Sequence, residues 1–353
     1  MSKFLCESLS ALAPYTPGEQ PQDRKYIKLN TNESPFPPSE KAIKKAREEA
    51  ERLMLYSDPD VKPLIGALAK AYGVREENVI ATNGSDEVLN FAFMAYGKRD
   101  GAVFPDITYG FYEVFAQING VKSKIVPLND DFTVNVEGIK KAKGTVFLAN
   151  PNAPTGIALP RSVVEEIVAS DRERMVVVDE AYVDFGAESA VPLIDKYDNL
   201  LVTQTFSKSR SMAGARLGMG FASPSVIDDL NRIRYSTNPY NVNRMTMAAG
   251  VGALEDEAYF NENCKKVIKN RENFTRKLKE AGFEVIPSQA NFVFAKSDKI
   301  SGGELYRRLK EKGILVRHFT KERIKEYNRI TIGGEEEMNA LIAAIREISE
   351  NEL

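Results

Sequence analysis

Residue types that bind metals or form disulfides are scarce in this sequence. Among its 353 residues there are two cysteines, Cys6 and Cys264, and one histidine, His318. Two cysteines provide neither a disulfide framework nor the spacing of a zinc site. One histidine excludes a metal site of several histidines, and no GxSxG segment is present to supply the serine of a hydrolase triad. We therefore expect no metal, and an enzyme of this composition would take its acid and base groups from Lys, Asp, Glu or Tyr.

Long apolar runs and charge of one sign are also missing. No stretch approaches the ~18 apolar residues that cross a bilayer, and the N-terminus lacks the apolar core and small-residue cleavage site of a signal peptide. The 48 Lys and Arg residues are balanced by 50 Asp and Glu residues. The basic residues are scattered and do not form the stripe that is typical of nucleic-acid-binding proteins. We expect a cytoplasmic protein with no membrane partner and no nucleic-acid partner.

The patterns that are present indicate an α/β protein with more than one domain. A chain of this length exceeds one ordinary hydrophobic core. Between about 64 and 222, helical segments alternate with short runs, and those at 146–149 and 175–178 are continuously apolar, as in strands buried on both faces. This alternation predicts a mainly parallel central sheet with helices on both faces. Ser39 is a predicted N-cap for the first of the helices, which are 40–54, 64–72, 86–96, 110–119 and 160–169. The predicted strands of this sheet are 78–82, 102–104, 145–149, 175–179, 200–204 and 218–222.

The pattern differs at the two ends of the chain. Residues 1–30 are irregular and rich in proline, which predicts an N-terminal arm. From about 244, a long amphipathic helix over 256–281 is followed by Gly282 as a stop signal. Strands predicted at 283–286, 291–295, 314–317 and 329–332 then accompany helices at 303–312 and 335–348. We therefore predict an arm (1–30), a large domain (31–243) and a small α+β C-terminal domain (244–353).

Charged side chains follow two of the predicted strands. Asp179 ends the run MVVVD, and Lys208 and Arg216 come shortly after the run LLVTQ. Parallel α/β sheets bind ligands at such strand ends. A lysine amine can form a Schiff base with the aldehyde of pyridoxal 5′-phosphate (PLP), and a carboxylate can keep its pyridine nitrogen protonated. A cation and hydroxyl groups can hold its phosphate, so the combination matches PLP chemistry.

Five motifs in a fixed order carry a family resemblance. Asp179 lies 27 positions after Asn152, Lys208 lies 29 positions after Asp179, and Arg216 lies 8 positions after Lys208. The motifs and these gaps are similar to those of the fold-type I PLP-dependent aminotransferases, and the resemblance implies that fold and PLP as the cofactor. The motifs are NGSDE (83–87), PDITYGFY (105–112), NPNAPTG (150–156), DEAYVDF (179–185) and TFSKSRSMAGARLG (205–218).

The resemblance implies a role for each matched residue. Lys208 would hold the cofactor and then move the proton between the substrate Cα and the cofactor. Asp179 would pair with the pyridine nitrogen, Tyr182 would hydrogen-bond the cofactor 3′-oxygen, and Tyr109 would stack on the ring. The cofactor phosphate would be bound by Gly84, Ser85, Asp86, Thr205, Ser207 and Arg216.

One position departs from the family pattern. Members usually carry Asn directly before the PTG triplet, where it reaches the 3′-oxygen, but this chain has Ala153 there. Asn152 is one place earlier, and on an extended backbone its side chain would point the other way. Two explanations stay open: either the loop directs Asn152 to the cofactor, or the 3′-oxygen depends on Tyr182.

Other segments resemble histidinol-phosphate aminotransferases in particular. They are APYTPGEQP and KLNTNESPFPP within 13–38, LYSDP (55–59), PYNVN (239–243), SQANFVF (288–294), GILVRHF (313–319) and NRITIGG (328–334). The resemblance implies transamination between L-histidinol phosphate and 2-oxoglutarate, which gives imidazole-acetol phosphate and glutamate in histidine biosynthesis. It also implies a homodimer in which Tyr56 reaches the cofactor phosphate of the other subunit. Arg317 and Arg329 would face the acidic end of the substrate, and the substrate entrance would include Tyr15, Asn32 and Glu33.

Two other reactions on the same scaffold stay open as alternatives, and two further functions are disfavoured. An aminotransferase for aromatic amino acids could use the same arginines to bind a carboxylate, and a threonine-phosphate decarboxylase would release CO2. A non-catalytic PLP-binding protein is disfavoured by the intact Lys208, Asp179 and Arg216. A nicotinamide-dependent dehydrogenase is disfavoured because no GxGxxG follows a strand.

Overall fold

The computed structural model describes residues 2–350. Within this range there are thirteen strands, which are β1 (Ile27–Lys28), β2 (Val79–Thr82), β3 (Ala102–Pro105), β4 (Ser123–Val126), β5 (Thr145–Ala149), β6 (Val176–Asp179), β7 (Leu200–Thr205), β8 (Gly218–Ala222), β9 (Phe283–Ile286), β10 (Phe292–Ser297), β11 (Ile314–Leu315), β12 (Arg317–His318) and β13 (Asn328–Thr331). The helices of the same range are α1 (Glu7–Ser10), α2 (Glu40–Ala50), α3 (Lys62–Tyr72), α4 (Ser85–Ala92), α5 (Lys98–Asp100), α6 (Phe111–Ile118), α7 (Val136–Lys141), α8 (Arg161–Ala169), α9 (Pro224–Thr237), α10 (Arg244–Leu254), α11 (Glu257–Glu280), α12 (Gly302–Glu311) and α13 (Glu335–Glu350).

The central sheet has seven strands in the order β2-β8-β7-β6-β5-β3-β4. Strand β8 runs antiparallel to β2 and β7, and the other neighbouring pairs are parallel. Every residue of β5 and β6 is buried, because apolar clusters with helical contributions cover both faces of the sheet. The prediction of a mainly parallel sheet between helices is confirmed.

The register of the parallel strands brings three strand ends to one edge. Ala149 of β5 pairs with Asp179 of β6, and Asp179 pairs with Thr203 of β7. The chain segments that leave these strands therefore start side by side. The residues predicted to carry chemistry follow β6 and β7 at this edge.

The C-terminal sheet is smaller and antiparallel, with the order β12-β13-β10-β9. Helices α11, α12 and α13 pack on it around buried residues such as Phe274, Leu309 and Ile345. Strand β1 pairs in parallel with β11, and Leu29 is 1% exposed within the same apolar cluster. Residues 27–29, which fall in the predicted arm, therefore pack with the C-terminal part of the chain. The domain bounds at 30/31 and 243/244 stay predictions.

Several elements differ from the sequence-based predictions, and helices α7, α9 and α10 were not predicted. Ser39 caps α2 as predicted, since its side chain accepts a hydrogen bond from the Ala42 N–H. The helix ends at Ala50, however, before the predicted end at residue 54, and Leu53 beyond it is 58% exposed. Strand β4 was not predicted, because an edge strand with exposed Ser123, Lys124 and Ile125 lacks the apolar signal of a buried strand.

Within the described range, no helix combines the length and the apolar character that crossing a bilayer requires.

Candidate active site

A cavity of 360 Å³ lies at the strand ends of the central sheet and extends to the C-terminal sheet. Segments from the N-terminal region, the ends of β6 and β7, and strands β12 and β13 all contribute walls. The structure brings most of the predicted site residues together here, namely Tyr15, Asn32, Glu33, Ser85, Asp86, Tyr109, Asp179, Tyr182, Thr205, Ser207, Lys208, Arg216, Arg317 and Arg329.

Lys208 follows β7 and directs its amine into this cavity. Its Nζ donates a hydrogen bond of 3.2 Å to the carbonyl oxygen of Thr31 and lies 5.8 Å from the centre of the Tyr182 ring. Burial, together with the positive charge of Arg329, lowers the pKa of Lys208 to about 8. A substantial fraction of a lysine with this pKa is neutral near pH 7 to 8, and the neutral amine is the form that acts as nucleophile or base.

Asp179 is a buried carboxylate, 5% exposed, at the end of β6. It accepts hydrogen bonds from Tyr112 Oη at 3.2 Å, the Ala181 N–H at 3.3 Å and Thr203 Oγ1 at 3.4 Å. Burial and the negative charge of Asp86 raise the pKa of Asp179 to about 6. All three donors are neutral, so a cation at the open side of this carboxylate would stabilise its charged form.

Tyr112 was missed as a functional residue. It is fully buried and holds the carboxylate of Asp179 in place. Its position in the motif PDITYGFY was the available signal. An aromatic residue on the buried side of α6 has the pattern of an ordinary core residue, and only the tertiary contact shows that its hydroxyl group serves the site.

Tyr182 and Asn32 form a second polar pair in the wall of the cavity. Asn32 Nδ2 donates to Tyr182 Oη at 3.0 Å. The backbone of Asn32 has a φ of 56°, and Thr331 Oγ1 contacts both its N–H and its Oδ1 at 3.0 Å. Asn32 is therefore held between β13 and Tyr182 in a left-handed conformation that asparagine tolerates better than most residues.

Two glycines make room for a tight backbone cradle at the N-terminus of α4. A Cβ atom on Gly218 would overlap the backbone of Gly84 and Ser85. A Cβ atom on Gly84, whose φ is 77°, would overlap the guanidinium of Arg216. Gly84 itself does not line the cavity, whereas the next residue, Ser85, does. The N–H groups at this helix start, the hydroxyls of Thr205 and Ser207, and Arg216 provide the donors that a phosphate group requires.

Asp86 connects the cradle with the aromatic wall. Its Oδ2 accepts from Arg216 Nη2 at 3.0 Å, and its Oδ1 accepts from Tyr109 Oη at 2.8 Å. Arg216 itself has a φ of 54° and a ψ of 59°, a left-handed conformation that an arginine rarely adopts. These contacts fix the guanidinium and the Tyr109 ring relative to each other on the same side of the cavity.

Arg317 and Arg329 form the cationic wall. They are cross-strand partners in the antiparallel pair of β12 and β13. Arg329 Nη2 donates to the Asn30 carbonyl at 2.9 Å, while its buried Nε has no hydrogen-bond partner among the described residues. Burial lowers the pKa of Arg329, and the charge of Arg317 acts in the same direction. Two like charges that face each other in this way would gain from an anion between them.

The N-terminal arm covers the outer side of this wall. Arg317 donates to the carbonyl oxygens of Pro17 at 3.0 Å and Thr16 at 2.9 Å. Glu19 accepts a hydrogen bond of 2.5 Å from Tyr306. A second cavity of 630 Å³ lies beneath the arm and shares Arg317 with the first. The two cavities form one path from the arm to Lys208.

The other predicted entrance residues also lie on this path. The Tyr15 ring stacks on Phe111 with centroids 4.3 Å apart and lines both cavities. The Glu33 carboxylate accepts from Lys28 Nζ and Thr31 Oγ1, both at 2.8 Å. Glu33 lines only the inner cavity.

Asn152 does not reach the cavity. Its Nδ2 donates to the carbonyl of Ile107 at 3.0 Å and to Thr155 Oγ1 at 3.1 Å, and its Oδ1 accepts from Thr108 at 2.8 Å. Ala153 lines the cavity in its place. These hydrogen bonds direct the Asn152 amide to Ile107, Thr108 and Thr155, so the structure gives no support to the predicted cofactor contact of Asn152.

Tyr56 also lies outside the cavity of its own chain. Its side chain is 79% exposed and stacks on Tyr240, with ring centroids 4.5 Å apart. Leu53, Met54 and Leu55 next to it are more than half exposed. The predicted contact of Tyr56 with a partner subunit's cofactor stays a prediction.

The donors of this cavity fit PLP in three respects. The buried amine of Lys208 is available for the aldehyde. Among the described residues, the hydrogen-bond donors to the buried carboxylate of Asp179 are neutral, and a pyridinium nitrogen would supply a cation. The cradle around Arg216, which added Cβ atoms would fill, suits the phosphate. These are the parts that PLP enzymes require of the protein.

Comparisons with known proteins agree with this geometry. A profile of the family described as aminotransferase class I and II matches residues 24–345. The chain is 46% identical over 355 residues to a histidinol-phosphate aminotransferase of Brachyspira hyodysenteriae. This match covers 99% of this chain and 100% of the relative. It is 49% identical over 353 residues to one of Marinomonas sp., with 98% and 99% coverage. The crystal structure of histidinol-phosphate aminotransferase from Sinorhizobium meliloti in complex with pyridoxal-5′-phosphate matches with a TM-score of 0.86 at 26% identity, over 93% of this chain and 92% of that chain.

Proposed function

This chain belongs to the aminotransferase class I and II family, and from that premise we propose that it transfers the amino group of L-histidinol phosphate to 2-oxoglutarate with PLP as cofactor. The products are imidazole-acetol phosphate and glutamate, so the reaction is a step of histidine biosynthesis. The observation that carries this proposal is the arrangement of one cavity, in which the Lys208 amine and the Asp179 carboxylate share the space with two opposed arginines.

Lys208 is the residue that holds the cofactor and moves the proton. When bound, PLP supplies an aldehyde that reacts with amines and a ring that stabilises negative charge at the substrate Cα. Because burial lowers the pKa of Lys208 to about 8, its neutral Nζ is available near physiological pH. That Nζ can accept the proton of the substrate Cα and return it to a carbon of the cofactor.

Asp179 and Tyr182 set the charge around the cofactor. Asp179, held by Tyr112, keeps its carboxylate at the end of β6, where it can stabilise a protonated pyridine nitrogen. The Tyr182 hydroxyl accepts a hydrogen bond from Asn32, and its own proton is free to be donated to the 3′-oxygen. Tyr109 offers its ring face, while Arg216 and the start of α4 offer donors to the phosphate.

Arg317 and Arg329 explain why two different substrates can use one site. L-histidinol phosphate carries a phosphate group, and 2-oxoglutarate carries a second carboxylate. Both are anions that a planar guanidinium can bind through two parallel hydrogen bonds. The unpartnered Nε of Arg329 and the like charge of Arg317 favour an anion at this place in either half of the reaction.

A homodimer is part of the proposal. The exposed side chains of Leu53, Met54, Leu55, Tyr56 and Tyr240 form an apolar surface of the kind that protein–protein interfaces bury. A homodimer would give a role to Tyr56, which does not line the cavity of its own chain. Analytical ultracentrifugation at micromolar concentration should give the mass of a dimer. The mass of a monomer at that concentration would contradict the proposed homodimer.

The cytoplasm is the compartment that we propose. No disulfide joins Cys6 and Cys264, which fits a reducing environment.

The first test of the reaction is a single-turnover measurement without keto acid. L-Histidinol phosphate or L-phenylalanine is added to cofactor-loaded protein, and the visible absorption of the bound cofactor is followed with time. We expect the absorption to change at low concentrations of histidinol phosphate, far faster than with phenylalanine. Released CO2 is measured in parallel samples to which threonine phosphate has been added.

Each other outcome points to a different function. A preference for phenylalanine would move the assignment to aromatic transamination, for which the same arginines would bind a carboxylate. Release of CO2 from threonine phosphate would identify a decarboxylase. If the loaded protein had no visible cofactor absorption at all, the role of Lys208 would itself be wrong.

A further inference from the structure

One arginine joins the turn between β12 and β13 to the central sheet. Arg323 Nη1 donates a hydrogen bond of 2.9 Å to the carbonyl of Leu128, and its Nη2 donates to the carbonyl of Asn129. The carboxylate of Asp106 is 3.6 Å from the same guanidinium. Asp106 directly follows β3, and Leu128 and Asn129 follow β4, so Arg323 bridges the C-terminal sheet to two strand ends of the central sheet.

Asp106 continues the connection toward the cofactor side of the site. Its Oδ1 accepts hydrogen bonds from the Leu128 N–H at 2.8 Å and the Ile107 N–H at 3.0 Å. Lys321 Nζ donates to the carbonyl of Asp106 at 3.0 Å. Tyr109 is only three residues further along, so the segment that Arg323 contacts is the one that carries the aromatic wall of the cavity.

Aromatic packing shields this connection. The Arg323 guanidinium lies 5.1 Å from the centre of the Phe132 ring. Phe132 meets Phe294 of β10 and Tyr327, the residue before β13, edge-on, at centroid distances of 6.1 Å and 5.4 Å. A partly desolvated guanidinium with several partners holds its geometry better than an exposed ion pair.

The position of Arg323 in the chain connects it to the cationic wall. It lies six residues after Arg317 and six residues before Arg329, in the turn that joins their strands. Lys321 and Ile324 of this turn line the outer cavity, whereas Arg323 is not among the lining residues. Arg323 therefore lies outside the walls of both cavities, but it can set where Arg317 and Arg329 stand relative to Lys208.

We infer that Arg323 is a positioning residue, which docks the β12–β13 turn on the central sheet and so fixes the distance between the two substrate-binding arginines and Lys208. The inference rests on the proposed function, because it concerns the anionic end of the substrates. Loss of this docking lets the cationic wall move away from the bound cofactor. Affinity for the anionic end then falls, while the chemistry at Lys208 is unchanged.

The test compares Arg323→Ala and Arg323→Lys with Lys321→Ala and a control, Lys325→Ala. Lys325 lies in the same turn, and within the part of the chain that the structure describes it forms an ion pair only with Glu322. We expect Arg323→Ala to raise the KM for both substrates about tenfold, the loss expected for a charge-assisted hydrogen bond, with kcat within about twofold. Arg323→Lys and Lys321→Ala should lie between wild type and Arg323→Ala, and Lys325→Ala should match wild type.

Several results would overturn the inference. Unchanged KM values with a lower kcat or a lower melting temperature would make Arg323 a purely structural residue. An equal rise of KM in Lys325→Ala would show a general effect of surface charge. If Arg323→Ala does not fold, Arg323→Lys decides the question in the same way. A wild type that rejects histidinol phosphate contradicts the proposed function instead, and the KM for its accepted anionic substrate then tests Arg323.

Discussion

Arg317 and Arg329 lie directly opposite each other on the antiparallel strands β12 and β13, and both side chains line the cavity that contains Lys208. Like charges in this arrangement destabilise a sheet. Natural proteins retain such features where function depends on them. We therefore expect a trade-off at this pair, which lowers the stability of the ligand-free protein and raises its affinity for anions.

Arg329→Met should reveal this trade-off. Methionine keeps an apolar stem beside Phe292 and Phe319, which now face the guanidinium, and removes the like charge. We expect the ligand-free variant to be more stable by up to about 1 kcal/mol, while its KM for both anionic substrates rises strongly. Chemical denaturation and steady-state kinetics measure the two effects. A variant that is less stable and also binds normally would contradict this reading.

Lys208→Ala should abolish transamination without unfolding the protein. The variant loses the only amine that we place at the cofactor aldehyde, so turnover should fall by a factor on the order of 10³ or more. Circular dichroism should remain that of the wild type. Lys196→Ala serves as the control, because that lysine is 66% exposed and pairs with Glu165 far from the cavity. Substantial residual turnover in Lys208→Ala would contradict the assignment of Lys208 as the residue that holds the cofactor.

Glu180 predicts a pH dependence of stability. This carboxylate is 1% exposed and accepts hydrogen bonds from Ser189, Gln204 and the Ala190 N–H. Burial raises its pKa to about 7, above the ~4.3 of an unfolded chain. The folded protein therefore binds this proton more tightly, and the resulting stability is present below about pH 4 and lost as the pH rises through 7.

Urea denaturation of the cofactor-free protein between pH 4.5 and 7.5 measures this effect. The contribution to the free energy of unfolding should fall by an amount on the order of 2 kcal/mol across that range. In Glu180→Gln, which cannot titrate, the fall should be smaller by that amount. Equal pH slopes in the two proteins would mean that Glu180 does not titrate in this window.

Ala153→Asn tests whether the cofactor lacks a contact in this chain. Ala153 lines the cavity and packs beside Tyr182, so an amide at this position points toward the place proposed for the 3′-oxygen. We expect a few-fold lower dissociation constant for PLP, because one added hydrogen bond contributes about 1 kcal/mol. Equilibrium dialysis measures it, with Asn152→Ala as the comparison. Unaltered affinity and activity in Ala153→Asn would argue against a missing contact.

Much of the fold could be predicted because its signals are local. Continuous apolar runs at β5 and β6, the cap at Ser39 and the stop at Gly282 depend on neighbours in sequence, and the structure contains each of them. The edge strand β4 could not be predicted, because its exposed side chains carry no such pattern. The early end of α2 at Ala50 was likewise not marked by a breaker residue.

The candidate site divides in the same way. Lys208, Asp179 and Arg216 could be chosen in advance, because strand ends and motif spacing identify them without knowledge of contacts. The hydroxyl of Tyr112 on Asp179, the direction of Asn152 and the docking by Arg323 depend on residues 67, 45 and 195 positions apart. Such pairs leave no periodic trace in one sequence.

By itself, the sequence determined the class of fold, the order of the motifs and the choice of Lys208 as the candidate cofactor lysine, since each follows from local pattern and spacing. Only the tertiary structure decided that Arg317 faces Arg329, that Ala153 and not Asn152 meets the cavity, and that Arg323 ties both arginines to the central sheet. The physical reason is that a site is built from packing between distant segments, whereas a sequence pattern records only how each segment meets solvent or core.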